Sequence, residues 1–136
     1  MASILKVDTI TGVATAGSIA ITGEGNSTTT NLQQGLAKNW LAFDGTPSTP
    51  TARGSFNHSS LTDNTTGDFT NNFTSSLADV NYASMVLASH NSSNLNSGPE
   101  LTGIATSSVR FETKYANNNT RYNMTDSICT VHGDLA

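Results

Sequence analysis

Charge is scarce in this sequence. Asp, Glu, Lys and Arg make up 12% of its 136 residues, about half the roughly 25% usual in soluble domains. The six basic residues, Lys6, Lys38, Arg53, Arg110, Lys114 and Arg121, form no cluster, so no nucleic-acid footprint is expected. A single cysteine, Cys129, excludes an internal disulfide. No apolar run approaches the length that spans a bilayer, so membrane insertion is not expected. The opening Met1 to Asp8 lacks a basic region followed by an apolar stretch. No secretory signal is expected there, and the chain should be made in a cytoplasm. Apolar residues are also few, at 35% against about 45–50% in a typical domain. A chain so poor in apolar side chains often completes its core with copies of itself, which predicts an oligomer.

Uncharged polarity fills the gap. Thr, Ser, Asn and Gly account for 64 of the 136 residues, and these types suit turns and exposed strand faces better than helix interiors. Aromatic and β-branched residues recur at strand spacing from Trp40 to Tyr82, with Asn, Asp and Gly turns between them. In Phe69-Thr70-Asn71-Asn72-Phe73 the two rings share one face of a strand, and Thr70 and Asn72 take the other. Val109, Phe111, Thr113 and Tyr115 alternate with Arg110, Glu112 and Lys114, a half-buried pattern. The expectation is an all-β fold, a small antiparallel β-sandwich or barrel, with a short N-terminal oligomerisation strand segment and one short helix.

Three regions follow in order. Residues 1–30 read as an N-terminal oligomerisation segment, a collar or stalk: a strand at 4–10, small residues, then Ile19 and Ile21 alternating with Ala20 and Thr22. Neither face of 4–10 closes within one chain, so Ile4, Val7, Ile10, Ile19 and Ile21 are candidate oligomer contacts. Residues 31–38 are the single expected helix, capped by Thr30 or Asn31. Leu32 and Leu36 sit one turn apart and suit either a symmetry axis or the helix's own sheet. Residues 39–136 form the β domain. It holds strands at 39–43, a meander of 53–57, 59–62 and 68–74, then strands at 81–89, 107–115 and 126–132. The segment 90–99 is a long exposed loop. Trp40, the only tryptophan, is expected in the core or at an interface ahead of a sugar platform.

Chemical signatures are weak. Asp44, Asp63, Asp68 and Asp126 each neighbour Gly, Asn, Ser or Thr, and Asp79 stands two residues before Asn81, positions where carboxylates cap turns. A glycosidase needs two carboxylates held about 5–10 Å apart, so no catalytic residue and no enzyme activity is expected. Cys129, in an apolar strand without an adjacent base, reads as an inert core thiol. His58, His90 and His132 show no metal-ligand spacing, so neither metal nor cofactor is expected. Tyr115 and Tyr122, flanking the Asn-rich turn that holds Asn118, are the candidate ligand-binding residues, since sugar sites combine aromatic platforms with nearby amides.

Several stretches resemble tail-fibre-like virion structural proteins of marine bacteriophages (cyanophage and pelagiphage types). These are Trp40 to Thr46, Arg53 to Asp63, Thr66 to Phe73, Ala78 to Tyr82 and Ile128 to Gly133. Ser3 to Ile10 is similar to the N-terminal attachment segment of that group, and Asn31 to Lys38 to its join with the globular domain. The resemblance implies a homotrimeric, fibre-like appendage on the virion, assembled in the host cytoplasm and joined to other virion proteins through its N-terminus. In such a trimer His90 would be the best placed histidine for a site on the axis. The alternative function is a receptor-recognition module whose partner is host-surface polysaccharide.

Overall fold

The computed structural model describes residues 5–12, 19–22, 29–90 and 98–134. Ile4 and most of the expected 90–99 loop lie outside them. The chain divides into two compact units, Met1–Gly35 and Leu36–Ala136.

In the first unit, β1 (Ala20–Thr22) pairs antiparallel with β2 (Thr29–Asn31), from Ala20 opposite Asn31 to Thr22 opposite Thr29. The Leu32 amide extends the ladder by donating to the Ile19 carbonyl at 2.9 Å. A single helical turn, α1 (Leu32–Gly35), follows. The expected helix at 31–38 is thus cut to four residues. Thr30 and Asn31 are taken by the β ladder, Ala37 and Lys38 by the next strand, and eight residues containing a glycine cannot hold a helix unaided. The strand expected at 4–10 is also corrected. Residues 5–12 are exposed and outside any strand, as mixed faces without a partner ladder dictate.

The second unit begins with β3 (Ala37–Phe43) and β4 (Ala52–Phe56), then β5 (His58–Thr65) and β6 (Asp68–Phe73). It continues with β7 (Ala83–Ser89), β8 (Glu100–Ala105), β9 (Ser108–Glu112) and β10 (Asp126–His132). Two open antiparallel sheets result, ordered β4-β3-β10-β7 and β5-β6-β9-β8, packed as a sandwich. Their inner faces meet through Leu41, Phe43, Cys129 and Val131 on one side and Phe69, Phe73, Val109 and Phe111 on the other. Phe43 meets Phe69 edge-on at 5.0 Å between ring centres and lies 6.1 Å from Phe111. Each such ring stabilises by roughly 1.5–3 kcal/mol through burial.

The expected meander through residues 53–74 is corrected at Asn57. There the chain leaves one sheet for the other, with β4 paired to β3 and β5 paired to β6. Asn57 sits in the left-handed region at φ 54°, a conformation asparagine tolerates better than most residues. Its carboxamide holds the corner by donating to the Lys38 and Ser75 carbonyls at 2.9 and 3.0 Å and accepting from the Ser75 amide at 2.7 Å.

Tyr82 braces the same end, its ring edge-on to Phe73 at 6.4 Å between centres. Its hydroxyl lies 3.0 Å from the carbonyls of both Ala105 and Ser108, across the β8–β9 turn. Tyr82→Phe keeps the ring and strands those carbonyls, so thermal unfolding should show a loss of about 1 kcal/mol.

Charges gather on the outward side of β6 and β9. Arg110 donates two bonds to Asp68, at 2.8 and 2.6 Å, and Asn64 adds one at 3.1 Å. Glu112 accepts from Arg121 and lies 2.7 Å from Lys114. The Arg110 guanidinium holds the Asp68 carboxyl below its ordinary 3.8. Arg121 first, then Lys114, holds Glu112 below 4.5. Carboxyls depressed by folding contribute fully above their unfolded values and lose that contribution as pH falls through the folded ones. Melting temperature should therefore hold from pH 7 to about 5 and fall below about 4.5. Asp68→Asn should be destabilising at pH 7 and much less so at pH 3.

Candidate functional site

Strand register fixes what each outer face displays. Across the sheet β4-β3-β10-β7 one row runs Phe56, Trp40, Thr130, Met85, and the next runs Gly54, Ala42, Ile128, Leu87. Alternation buries Leu41, Phe43, Cys129 and Val131 between the sheets and turns these two rows outward. The outcome is an apolar outer face. Trp40 is 41% exposed, Phe56 51%, Met85 58%, Leu87 59% and Ile128 47%. The Trp40 ring lies over Gly54, where an added Cβ would stand 3.3 Å from two ring carbons. Glycine on the neighbouring strand lets the indole lie flat against the sheet.

The opposite outer face, on β5-β6-β9-β8, is polar. Its rows run Ser60, Asn72, Ser108, Ala105 and Thr62, Thr70, Arg110, Gly103. Asn72 donates to the hydroxyls of Ser60 and Thr62, each at 3.1 Å. The sandwich therefore has one wet side and one oily side. Single exposed apolar residues are commonplace, whereas a contiguous apolar face marks an interaction site.

A second feature lies at the ends of β7 and β9. Tyr115 stacks on Tyr122 at 4.5 Å between ring centres, and His90 meets Tyr122 edge-on at 5.3 Å. Desolvation, then the neighbouring Tyr122 phenol, pushes the Tyr115 hydroxyl up to about 12. Asn118 uses its side-chain oxygen to accept from the Thr120 amide at 3.0 Å, closing its own turn. The expected pair of tyrosines thus comes together, and His90 joins them. Sequence alone offers His90 only a place on a trimer axis.

In comparisons with protein-family models, curated proteins and solved structures, nothing matched the chain. The likeness to phage fibre proteins rests on the residues quoted for it.

The remaining candidates are distributed as follows. Val7, Ile10, Ile21 and Leu36 are about half exposed, and Ile19 and Leu32 are intermediate. Cys129 is buried, and burial pushes its thiol up to about 11, a poor nucleophile at neutral pH. Asp44 and Asp79 cap their turns, accepting from the Thr46 and Asn81 amides at 2.9 and 2.7 Å. Among the described residues no three of His, Cys, Asp and Glu gather as a metal site would require. Residue-by-residue reading missed the apolar face, because it appears only when β4, β3, β10 and β7 are laid side by side. Its signal was present in Met85 and Leu87, which alternate with Ser84, Val86 and Ala88.

Proposed function

We propose that this chain is a structural subunit of a phage virion, a homotrimeric fibre-like appendage that joins other virion proteins through its N-terminal segment and catalyses nothing. The observation that carries this reading is the exposed apolar face around Trp40 on a chain otherwise short of apolar side chains. An assembly part needs such a face, and the resemblance in Trp40 to Thr46 and Ile128 to Gly133 supplies the virion context. Sedimentation equilibrium of the full chain should return three times the mass of one 14.2 kDa protomer throughout the micromolar range. A single-chain mass at every concentration would overturn the reading.

The Tyr115–Tyr122 stack, with His90 beside it, favours a second role as a host-glycan platform, since aromatic faces stack on sugar rings while nearby amides take up hydroxyls. Glycan-array binding by the full chain that disappears in Tyr122→Ser would support it. An array with no bound glycan would remove it.

A further inference from the structure

We infer that the apolar outer face of β4-β3-β10-β7 is occupied by the same face of other copies of this chain, making the sandwich itself, ahead of the N-terminal segment, the main subunit contact. The inference rests on the assembly reading above and names the partner at that face.

Area comes first. At about 200 Å² per large side chain, five residues half exposed present on the order of 500 Å². That is the upper range for a patch on a monomer, and a standard interface takes about 800 Å² from each partner. Ala42, Ala83, Thr130 and the margin of β7 lie around the five and extend the face towards that size.

The sheet edges point the same way. Exposed edge strands are normally guarded by charge, bulges, glycine or proline. β4 carries Arg53 and Gly54 and a register shift, β5 carries Asp63 and two shifts, and β8 carries Glu100, Gly103 and one shift. β7, Ala-Ser-Met-Val-Leu-Ala-Ser, has no charge, proline or glycine and pairs with β10 without a shift. Among the described residues the one unguarded edge thus borders the oily face, and Met85 and Leu87 on it are the most exposed members of that face. A covering partner makes guarding unnecessary.

Charge selects the occupant. The two outward rows, Phe56 to Met85 and Gly54 to Leu87, contain no ionisable side chain. The centre of the face thus offers no field to recognise a charged partner and meets its own copy without like-charge repulsion. The outward ionisable groups of β10, His132 and the Arg53-paired Asp126, stand at its two ends. The ion-paired groups Asp68, Arg110 and Glu112 lie on the opposite outer face, so their pairing is untouched when the apolar faces meet.

The test compares two triple variants of the full chain by sedimentation. Met85→Thr/Leu87→Thr/Ile128→Thr keeps strand-favouring residues and should weaken association at least 100-fold. Val7→Thr/Ile10→Thr/Ile21→Thr should change it less than fivefold. Circular dichroism of the first variant checks its fold. Independently, Leu87→Cys should form an oxidised covalent dimer, since the buried Cys129 does not compete. If the wild type assembles but only the N-terminal variant dissociates, and Leu87→Cys stays uncrosslinked, the inference fails while the assembly reading stands. A wild type that never associates, or that associates only with a different protein or a surface, overturns both.

Discussion

Gly67→Ala is expected to lower the unfolding free energy by about 3–4 kcal/mol, the sum of a backbone penalty and lost hydrogen bonds. Gly67 turns the chain between β5 and β6 at φ 66°, where a side chain costs roughly 1–2 kcal/mol. Space compounds the cost. An added Cβ would lie 2.6 Å from the Thr113 carbonyl oxygen and 2.6 Å from the Tyr122 nitrogen, both backbone atoms that cannot rotate away. Those atoms belong to a ladder in which Thr113 donates to the Gly67 carbonyl at 2.8 Å and Tyr122 donates to the Thr113 carbonyl at 2.9 Å. Making room means breaking at least two such bonds, at about 1 kcal/mol each. Melting temperature should drop by roughly 10–20 °C. Gly98→Ala is the control, since its nearest neighbour to an added Cβ is 3.7 Å away, and it should stay within about 0.5 kcal/mol. Because Tyr122 moves with the strained turn, near-ultraviolet circular dichroism from the Tyr115–Tyr122 stack should change in Gly67→Ala even below its melting point.

Local pattern carried part of this fold into the sequence and long-range register carried the rest. The strand at 126–132 was legible because burial there follows a period of two, and β10 reproduces it. The expected strand at 107–115 holds its alternation only through Val109, Arg110 and Phe111, since β9 ends at Glu112, which is buried with its ion pairs. β8 was not expected, since Gly98-Pro99 and Gly103 punctuate it like a loop, although its pairing to β9 tolerates Gly103 at a register shift. The sheet change at Asn57 was hidden for a different reason. Asn-His-Ser reads as a strand interruption, and nothing local distinguishes a hairpin within one sheet from a step between two. The outward placement of Trp40 depends on Gly54, fourteen residues away in sequence, and that proximity exists only once β3 and β4 are paired. The Tyr115–Tyr122 pair was legible because one short turn joins the two residues, whereas His90 reaches them only through the packing of β7's end.

Asn71→Ala should cost roughly 3 kcal/mol, for a reason that sequence periodicity contained and aromatic pattern obscured. In Phe69-Thr70-Asn71-Asn72-Phe73 the middle residue shares the rings' inward face, so a carboxamide sits fully buried between two phenylalanines. Such a group must be hydrogen-bonded, and a directed chain satisfies it. Asn39 spends its two N–H donors on the Phe56 and Asn57 carbonyls, at 3.2 and 2.9 Å. Its oxygen therefore accepts from the Asn71 amide at 2.7 Å. The Asn71 oxygen is then left to accept from His58 Nδ1 at 2.8 Å, which assigns the proton to that nitrogen. The chain ties β3 in one sheet to β6 in the other and to the Asn57 corner. Alanine at position 71 strands the Asn39 oxygen and the His58 donor, each worth about 1–3 kcal/mol when desolvated. Combined with Asn39→Ala, the loss should be smaller than the sum of the singles by at least 1 kcal/mol, the sign of a shared network. Asn71→Asp makes a sharper test. One carboxylate oxygen still accepts from His58, but the other faces the Asn39 oxygen with no proton to donate. Folding then raises that carboxyl's pKa, so its penalty is full at pH 7 and shrinks as pH falls and the acid protonates. Melting curves should show Asn71→Asp less stable than Asn71→Ala at pH 7, with its deficit from the wild type narrowing towards pH 4. A deficit that is constant across that range would mean the Asn39–Asn71 bond does not hold the sheets together.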